Sequence, residues 1–130
     1  MKNNATGIKK YINSFRYAFA GIADLVRSQF HAKVHIVGAV LAIAFGIFFQ
    51  ISPKEWCIIV LCIGLVLSSE AMNTAVEYIV DMVSPDYHEL AGKAKDVAAG
   101  AVLLIAMAAA AVAAIIFLPK IYVFYYGIEI

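Results

Sequence analysis

Three long apolar runs separated by short polar breaks dominate the chain, and an amphipathic stretch precedes them. From the N-terminal side, Ile8, Tyr11, Ile12, Phe15, Phe19, Ile22 and Val26 recur at helical spacing, with Lys9, Lys10, Arg16 and Arg27 interleaved. This basic, acid-poor pattern predicts a surface helix over residues 8–29 lying in the headgroup layer. The first apolar run, residues 34–51, sits at the lower end of the ~17–25 residues that cross a bilayer. Ser52-Pro53-Lys54-Glu55 then reverses the chain and starts a helix: Ser52 caps, Pro53 suits the first helical position, and Glu55 completes a capping box. Trp56 is expected to anchor the outer interface. No Gly or Pro interrupts residues 65–84, so a single helix is predicted over 54–83. Such a helix is about 45 Å long, against a hydrocarbon core of ~30 Å, so its lower third should project at the opposite interface. Ser84-Pro85 marks the next break and a new helix start. The third span is expected over 97–118, closed by Pro119-Lys120, with Tyr122, Phe124, Tyr125 and Tyr126 as an aromatic belt. Its many alanines suit close helix–helix approach in lipid.

Composition agrees with this pattern. The chain has 130 residues, of which 64% are hydrophobic and 15% charged, where a soluble domain carries about 25% charged residues. The reading is an all-α integral membrane protein of one domain, residues 1–130, with three transmembrane helices and an N-terminal amphipathic surface helix. Lys2, Lys9, Lys10, Arg16, Arg27 and Lys33 precede the first span, and Lys93 and Lys95 lie in the second hydrophilic segment; only Lys54 and Lys120 fall on the other side. The positive-inside rule then makes the N-terminus cytoplasmic. Cys57 and Cys62 read as small packing residues within a span. The first thirty residues lack a secretory h-region and cleavage site, so the N-terminus is expected to be retained.

The chemistry concentrates at the end of the second apolar run, in Ser68-Ser69-Glu70-Ala71-Met72-Asn73-Thr74-Ala75-Val76-Glu77. At about 100° per residue, Glu70, Asn73 and Glu77 share one helix face, and Asp81 follows a turn later. Ionisable groups beside a hydrocarbon span cost about 2.5–3.5 kcal/mol each on insertion scales, so a face that repeats them reads as a working site. The next segment adds His88, Glu89, Lys93, Lys95 and Asp96. Carboxylates with a lysine suit phosphoryl transfer: Mg²⁺ takes one or two carboxylates plus phosphates, Lys neutralises phosphate charge, and another carboxylate accepts the hydroxyl proton. They equally suit a small proton-coupled membrane transporter using Glu70 and Glu77. Neither a P-loop nor a kinase Gly-rich loop is present. Three spans make a small bundle, so a homo-oligomer with sites between subunits is expected.

Glu70-Ala71-Met72-Asn73-Thr74-Ala75-Val76-Glu77, followed by Tyr87-His88-Glu89-Leu90-Ala91-Gly92-Lys93-Ala94-Lys95-Asp96, resembles the signature of the prokaryotic diacylglycerol kinase family, which includes the undecaprenol kinases. The likeness runs from Asn3 to about residue 118. It implies a homotrimeric bundle in the bacterial cytoplasmic membrane that transfers the ATP γ-phosphate, with Mg²⁺, to a lipid alcohol in the cytoplasmic leaflet. Diacylglycerol comes first on the N-terminal likeness. Undecaprenol is close behind, on His35 and the run from Asp96 to Leu104. The expected partners are that alcohol, ATP and copies of the chain itself, with no nucleic acid. By the same resemblance, Glu70 would be the general base and touch the lipid. Asn73 would orient the hydroxyl or phosphate, and Glu77 would bind Mg²⁺. Lys95 and Asp96 would hold the nucleotide, with Lys10 and Tyr17 approaching from the surface helix, and His35 would lie on the lipid side. Gln29 departs from the pattern, standing where the family usually has a second metal-binding Glu. An uncharged amide oxygen is the weaker ligand for a hard cation.

Overall fold

The computed structural model describes residues 7–127, which form four α-helices: α1 (Gly7–Ser28), α2 (Phe30–Phe48), α3 (Pro53–Val83) and α4 (Glu89–Tyr126). The start of the family-like stretch, Asn3 to Thr6, lies outside the described residues. Three helices, α2, α3 and α4, are long and apolar enough to cross a membrane. They run up, down and up, α3 packing against both of its neighbours.

Gln29 alone separates α1 from α2. Its extended backbone (φ −101°, ψ 119°) bends the chain there, while its N–H still bonds Leu25 O. Between α2 and α3 the reversal is a Schellman closure: Ile51 N–H reaches back to Gly46 O and Gln50 N–H to Ile47 O. Gln50 takes the left-handed position usually filled by Gly, with φ 50°. The predicted capping box forms at Ser52, whose N–H bonds Glu55 Oε2 at 2.7 Å while its hydroxyl accepts from Glu55 N–H. Trp56 does more than mark an interface. Its indole closes over Gly46, where an added Cβ would lie 2.7 Å from the ring.

One expectation for α4 is corrected. A new helix does follow the Ser84-Pro85 break: it starts at Glu89, where His88 caps it through its ring nitrogen, which accepts Leu90 N–H at 3.2 Å, so Lys93, Lys95 and Asp96 are helical. Pro119, however, does not close it. Proline removes one backbone donor, which a long helix in a bundle tolerates, and α4 continues to Tyr126 before Gly127 ends it at φ 62°.

The core is thin. Ile51, Ile59, Ile116 and Phe117 are buried together, with Phe49, Trp56, Ile63 and Val112 against them. At the same end, Phe45 and Phe49 of the α2 terminus and turn stack edge-on or tilted with Phe117 and Phe124 of α4. The chain exposes 10115 Å², about half as much again as the ~6,700 Å² of a soluble monomer of 14.1 kDa. Large apolar residues such as Val40, Ile47, Leu61, Leu104 and Ile115 account for much of the excess. Water cannot be what covers that surface.

Antiparallel helices of equal rise face one another in mirrored register about the turn between them. Glu55 pairs with Lys120 at 3.0 Å, and Asp81 pairs with Lys95. About 26 residues separate the two rungs along α3, roughly 39 Å, which exceeds the ~30 Å hydrocarbon core. The ion pairs therefore bracket the apolar length of the α3–α4 hairpin.

Candidate active site

The site lies at the end of the bundle away from the aromatic cluster, where α3 emerges between the other three helices. Its polar face descends one turn at a time. Glu70 and Thr74 are buried, at 3% and 4% exposure, Asn73 and Glu77 are half-buried, and Tyr78 and Asp81 are exposed.

Glu70 meets α2. His35 Nε2 lies 3.1 Å from Glu70 Oε1, with the carboxylate side chain 4% exposed and the imidazole 25%. Among the described residues no hydrogen bond engages Glu70 Oε2, so one oxygen faces the imidazole and the other is unengaged.

Glu77 is flanked by two amides. Asn73 Nδ2 donates to Oε1 at 3.0 Å from one turn earlier on α3. Gln29 Nε2 approaches Oε2 at 3.4 Å from the α1–α2 bend. The bend explains how a residue 48 positions away arrives: Gln29 stands at the N-cap of α2 without capping it, so its side chain is free to turn to α3. Asn73 Oδ1, by contrast, is buried with no partner among the described residues, as is Thr74 Oγ1. An orphaned buried acceptor is costly in a native interior. One carboxylate with a partnerless amide oxygen beside it is a fitting donor set for a hard cation that keeps water and phosphate as its remaining ligands. Three or more His, Cys, Asp or Glu side chains do not converge anywhere among the described residues, so a closed all-protein metal cage is not what this face offers.

Two further contacts tie α3 down. Lys95 Nζ donates to Asp81 Oδ1, placing the ammonium one turn beyond Glu77. Tyr78 Oη donates to Asp24 Oδ2 at 2.7 Å and lies 3.3 Å from Ser28 Oγ, which fastens α1 against α3.

The structure thus brings together Glu70, Asn73, Glu77, Gln29, His35 and Lys95. It leaves Asp96 exposed on α4, and Lys10 and Tyr17 exposed on α1; among the described residues none of the three side chains hydrogen-bonds to α3. Sequence reasoning missed the Tyr78–Asp24–Ser28 latch and the direct pairing of His35 with Glu70. The signal for the second was the mirrored register of the α2–α3 hairpin: His35 lies as many residues before the turn at Ser52 and Pro53 as Glu70 lies after it.

Between α2, α3 and α4 a cavity of about 300 Å³ opens under His35, lined by Gly38, Ala39, Val66, Ala106 and Ala110 among others. Small side chains leave this room, and its walls are apolar. His35, the partner of Glu70, stands in its wall, and the apolar lining suits hydrocarbon.

Comparison with known proteins assigns these features to a family. Residues 16–117 match the family model described as prokaryotic diacylglycerol kinase. An undecaprenol kinase of Bacillus subtilis is 36% identical over 120 residues, covering 92% of this chain and 98% of that protein. A diacylglycerol kinase of Synechocystis is 39% identical over 109 residues, 83% of this chain and 62% of that one. The diacylglycerol kinase of Escherichia coli K12 is 29% identical over 104 residues, 80% and 85% of the two chains. Nothing in these matches supports a transporter. The chain, a multi-pass membrane protein, belongs to the prokaryotic diacylglycerol kinase family.

Proposed function

We propose that this lipid kinase transfers the γ-phosphate of ATP to the hydroxyl of a membrane lipid alcohol, with Mg²⁺, at the cytoplasmic face of a bacterial inner membrane. The carrying observation is Glu70: a buried carboxylate whose Oε1 lies 3.1 Å from Nε2 of His35, a residue in the wall of an apolar cavity. Glu70 Oε2 takes the proton from the lipid hydroxyl as its oxygen bonds to the γ-phosphorus, and the bond from that phosphorus to the ADP oxygen breaks. Asn73 sits one turn on and orients the reacting oxygen or the phosphate. Lys95, released from Asp81, moves its charge onto the nucleotide phosphates. Asp96 places the nucleotide from the next position of α4, and Lys10 and Tyr17 reach it from α1. Glu77 and Asn73 Oδ1, with Gln29, would hold the cation. Bound Mg²⁺ supplies charge neutralisation on the transferring phosphates.

Orientation follows the lysine and arginine distribution, with the N-terminus and the site on the cytoplasmic side. The working unit is a homotrimer. The large exposed apolar surface supports association of the chain with copies of itself. Along α1, Ile8, Tyr11, Ile12, Phe15 and Phe19 are all exposed, which fits a helix lying on the membrane surface.

Diacylglycerol is the first acceptor, on the family description and the Synechocystis and E. coli relatives. Undecaprenol is the second, favoured by the end-to-end match to the B. subtilis protein. Phosphotransfer from labelled ATP by the purified chain in detergent, with each alcohol in turn, tests both. A phosphorylated lipid from either supports the kinase reading and ranks the acceptors. Product from neither overturns it.

A further inference from the structure

We infer that His35 is a positioning residue for the phosphotransfer, holding Glu70 in the orientation that presents Oε2 to the lipid hydroxyl. The inference deepens the reading of Glu70 as general base and rests on it.

Glu70 is 3% exposed on a helix otherwise lined with Val66, Leu67 and Ala71 nearby. A carboxylate so buried rotates freely about its last torsion unless something fixes it, and leaving it unpaired there costs far more than pairing it. Among the described residues the imidazole of His35 is its one polar partner, at 3.1 Å from Oε1. For this role the proton must be on Nε2, 3.1 Å from Oε1, where it is directed at the carboxylate whatever the state of Nδ1. Oε1 is then occupied and Oε2 is left as the oxygen that can accept a proton from a reactant. The two helices that carry the pair are joined by a turn closed by backbone bonds and by the Trp56 ring over Gly46, so the distance is set by packing rather than by loop motion. His35 also lines the apolar cavity. The residue that orients the base therefore forms part of the wall past which a lipid chain would run, which couples acceptor placement to base orientation.

The required group is an N–H donor at the Nε2 position, so the conservative replacement is the amide of Gln and the disruptive one is the apolar Leu. The expected result for His35→Leu is a fall in kcat of about 30-fold or more with KM for ATP changed less than threefold. His35→Gln should recover kcat to within about fivefold of the unsubstituted chain. A purely structural role would lower folded yield and melting temperature in both variants without separating them in kcat. A second readout does not depend on turnover. In ¹⁵N-histidine-labelled full-length protein, the His35 signal, assigned against His31 and His88 by single substitution, should show Nε2 protonated; Glu70→Ala should release it to a mixture of tautomers. Equal kcat for His35→Leu and the unsubstituted chain, equal kcat for the Leu and Gln variants, or a His35 signal indifferent to Glu70→Ala would each overturn the inference. Absence of phospholipid product from the unsubstituted chain, with the tautomer signature intact, would remove the kinase reading and leave the pair standing.

Discussion

Replacing Gln29 by Glu should make the protein need less Mg²⁺. In the structure Gln29 Nε2 lies 3.4 Å from Glu77 Oε2, a long contact in which an amide donates to a carboxylate. The amide satisfies Glu77 internally, so ligation of a cation by both residues requires that contact to break and the amide to turn its oxygen inward. Losing such a hydrogen bond costs about 1 kcal/mol. A carboxylate at position 29 inverts the balance. Two unit negative charges 3.4 Å apart repel by roughly 5 kcal/mol at an effective dielectric of 20, and at a half-exposed, salt-screened site about 1 kcal/mol of that survives. Cation binding relieves the repulsion instead of opposing a hydrogen bond. Together the two effects shift the cation affinity by about 2 kcal/mol, between ten- and thirtyfold. Initial rates against Mg²⁺ at saturating ATP and lipid would read this directly: the half-maximal concentration for Gln29→Glu should fall about tenfold or more. The same variant should melt earlier than the unsubstituted chain without Mg²⁺ and recover when it is added. An unchanged Mg²⁺ requirement, within a factor of two, would refute the placement of Gln29 beside the cation. Gln29→Leu is the control, since it removes the donor without adding charge and should not show the gain.

Other contacts predict distinct failures. Glu70→Ala should abolish turnover while nucleotide binding, read by titration of a fluorescent ATP analogue, stays within about threefold; wild-type-like turnover would remove Glu70 as the base. Lys95→Ala should lose both, whereas Lys120→Ala, at the other rung of the α3–α4 hairpin, should lower stability by about 1 kcal/mol or less and leave kcat unchanged. Gly46→Ala drives a methyl to 2.7 Å from the Trp56 ring and 3.1 Å from Ile51 Cδ1. The expected destabilisation is about 1–3 kcal/mol, seen as a lower melting temperature in detergent and reduced when Trp56 is also shortened to Leu. Tyr78→Phe should raise hydrogen exchange along α1, because the bond to Asp24 and the contact with Ser28 both go; unchanged exchange would show that packing alone holds α1.

How much of this was legible beforehand depends on the range of the signal. Helix existence followed from periodicity, and the Ser52–Glu55 cap formed because all its partners lie within four residues. Pro119 misled because a local breaker was weighed without the bundle: within a long helix packed on its neighbours one missing donor does not end the ladder. The start of α4 was readable to within a few residues from the Ser84-Pro85 break, whereas its cap was not: His88 supplies it through a ring nitrogen rather than a hydroxyl or carboxylate. In the site, the shared face of Glu70, Asn73 and Glu77 was readable from spacing alone. Which side chains of other helices meet that face was not, since a motif carries no record of its tertiary partners; the mirrored register supplied it only once the turns were fixed. Gln29 shows the limit best. Its departure from the family pattern was visible, but its donor contact with Glu77 depends on a one-residue bend between two helices.

The contacts on α3 suggest why the face is built as it is. Each neighbouring helix is tied to α3 by polar groups, most of which the proposed reaction would also use: α2 through His35 and Glu70, α1 through Gln29 and Glu77, α4 through Lys95 and Asp81. They follow one another down the helix at positions 70, 77 and 81. In the resting chain these pairs satisfy one another, which removes the cost of holding ionisable groups at the edge of a hydrocarbon layer. Substrates must therefore compete for groups already in use. A nucleotide phosphate that draws Lys95 away leaves Asp81 unpaired but exposed, a small loss. Drawing His35 from Glu70 would leave a buried carboxylate without a partner, a large one. The pair at the solvent end is the one suited to exchange with ATP, and the pair at the buried end is the one suited to stay closed through the chemistry.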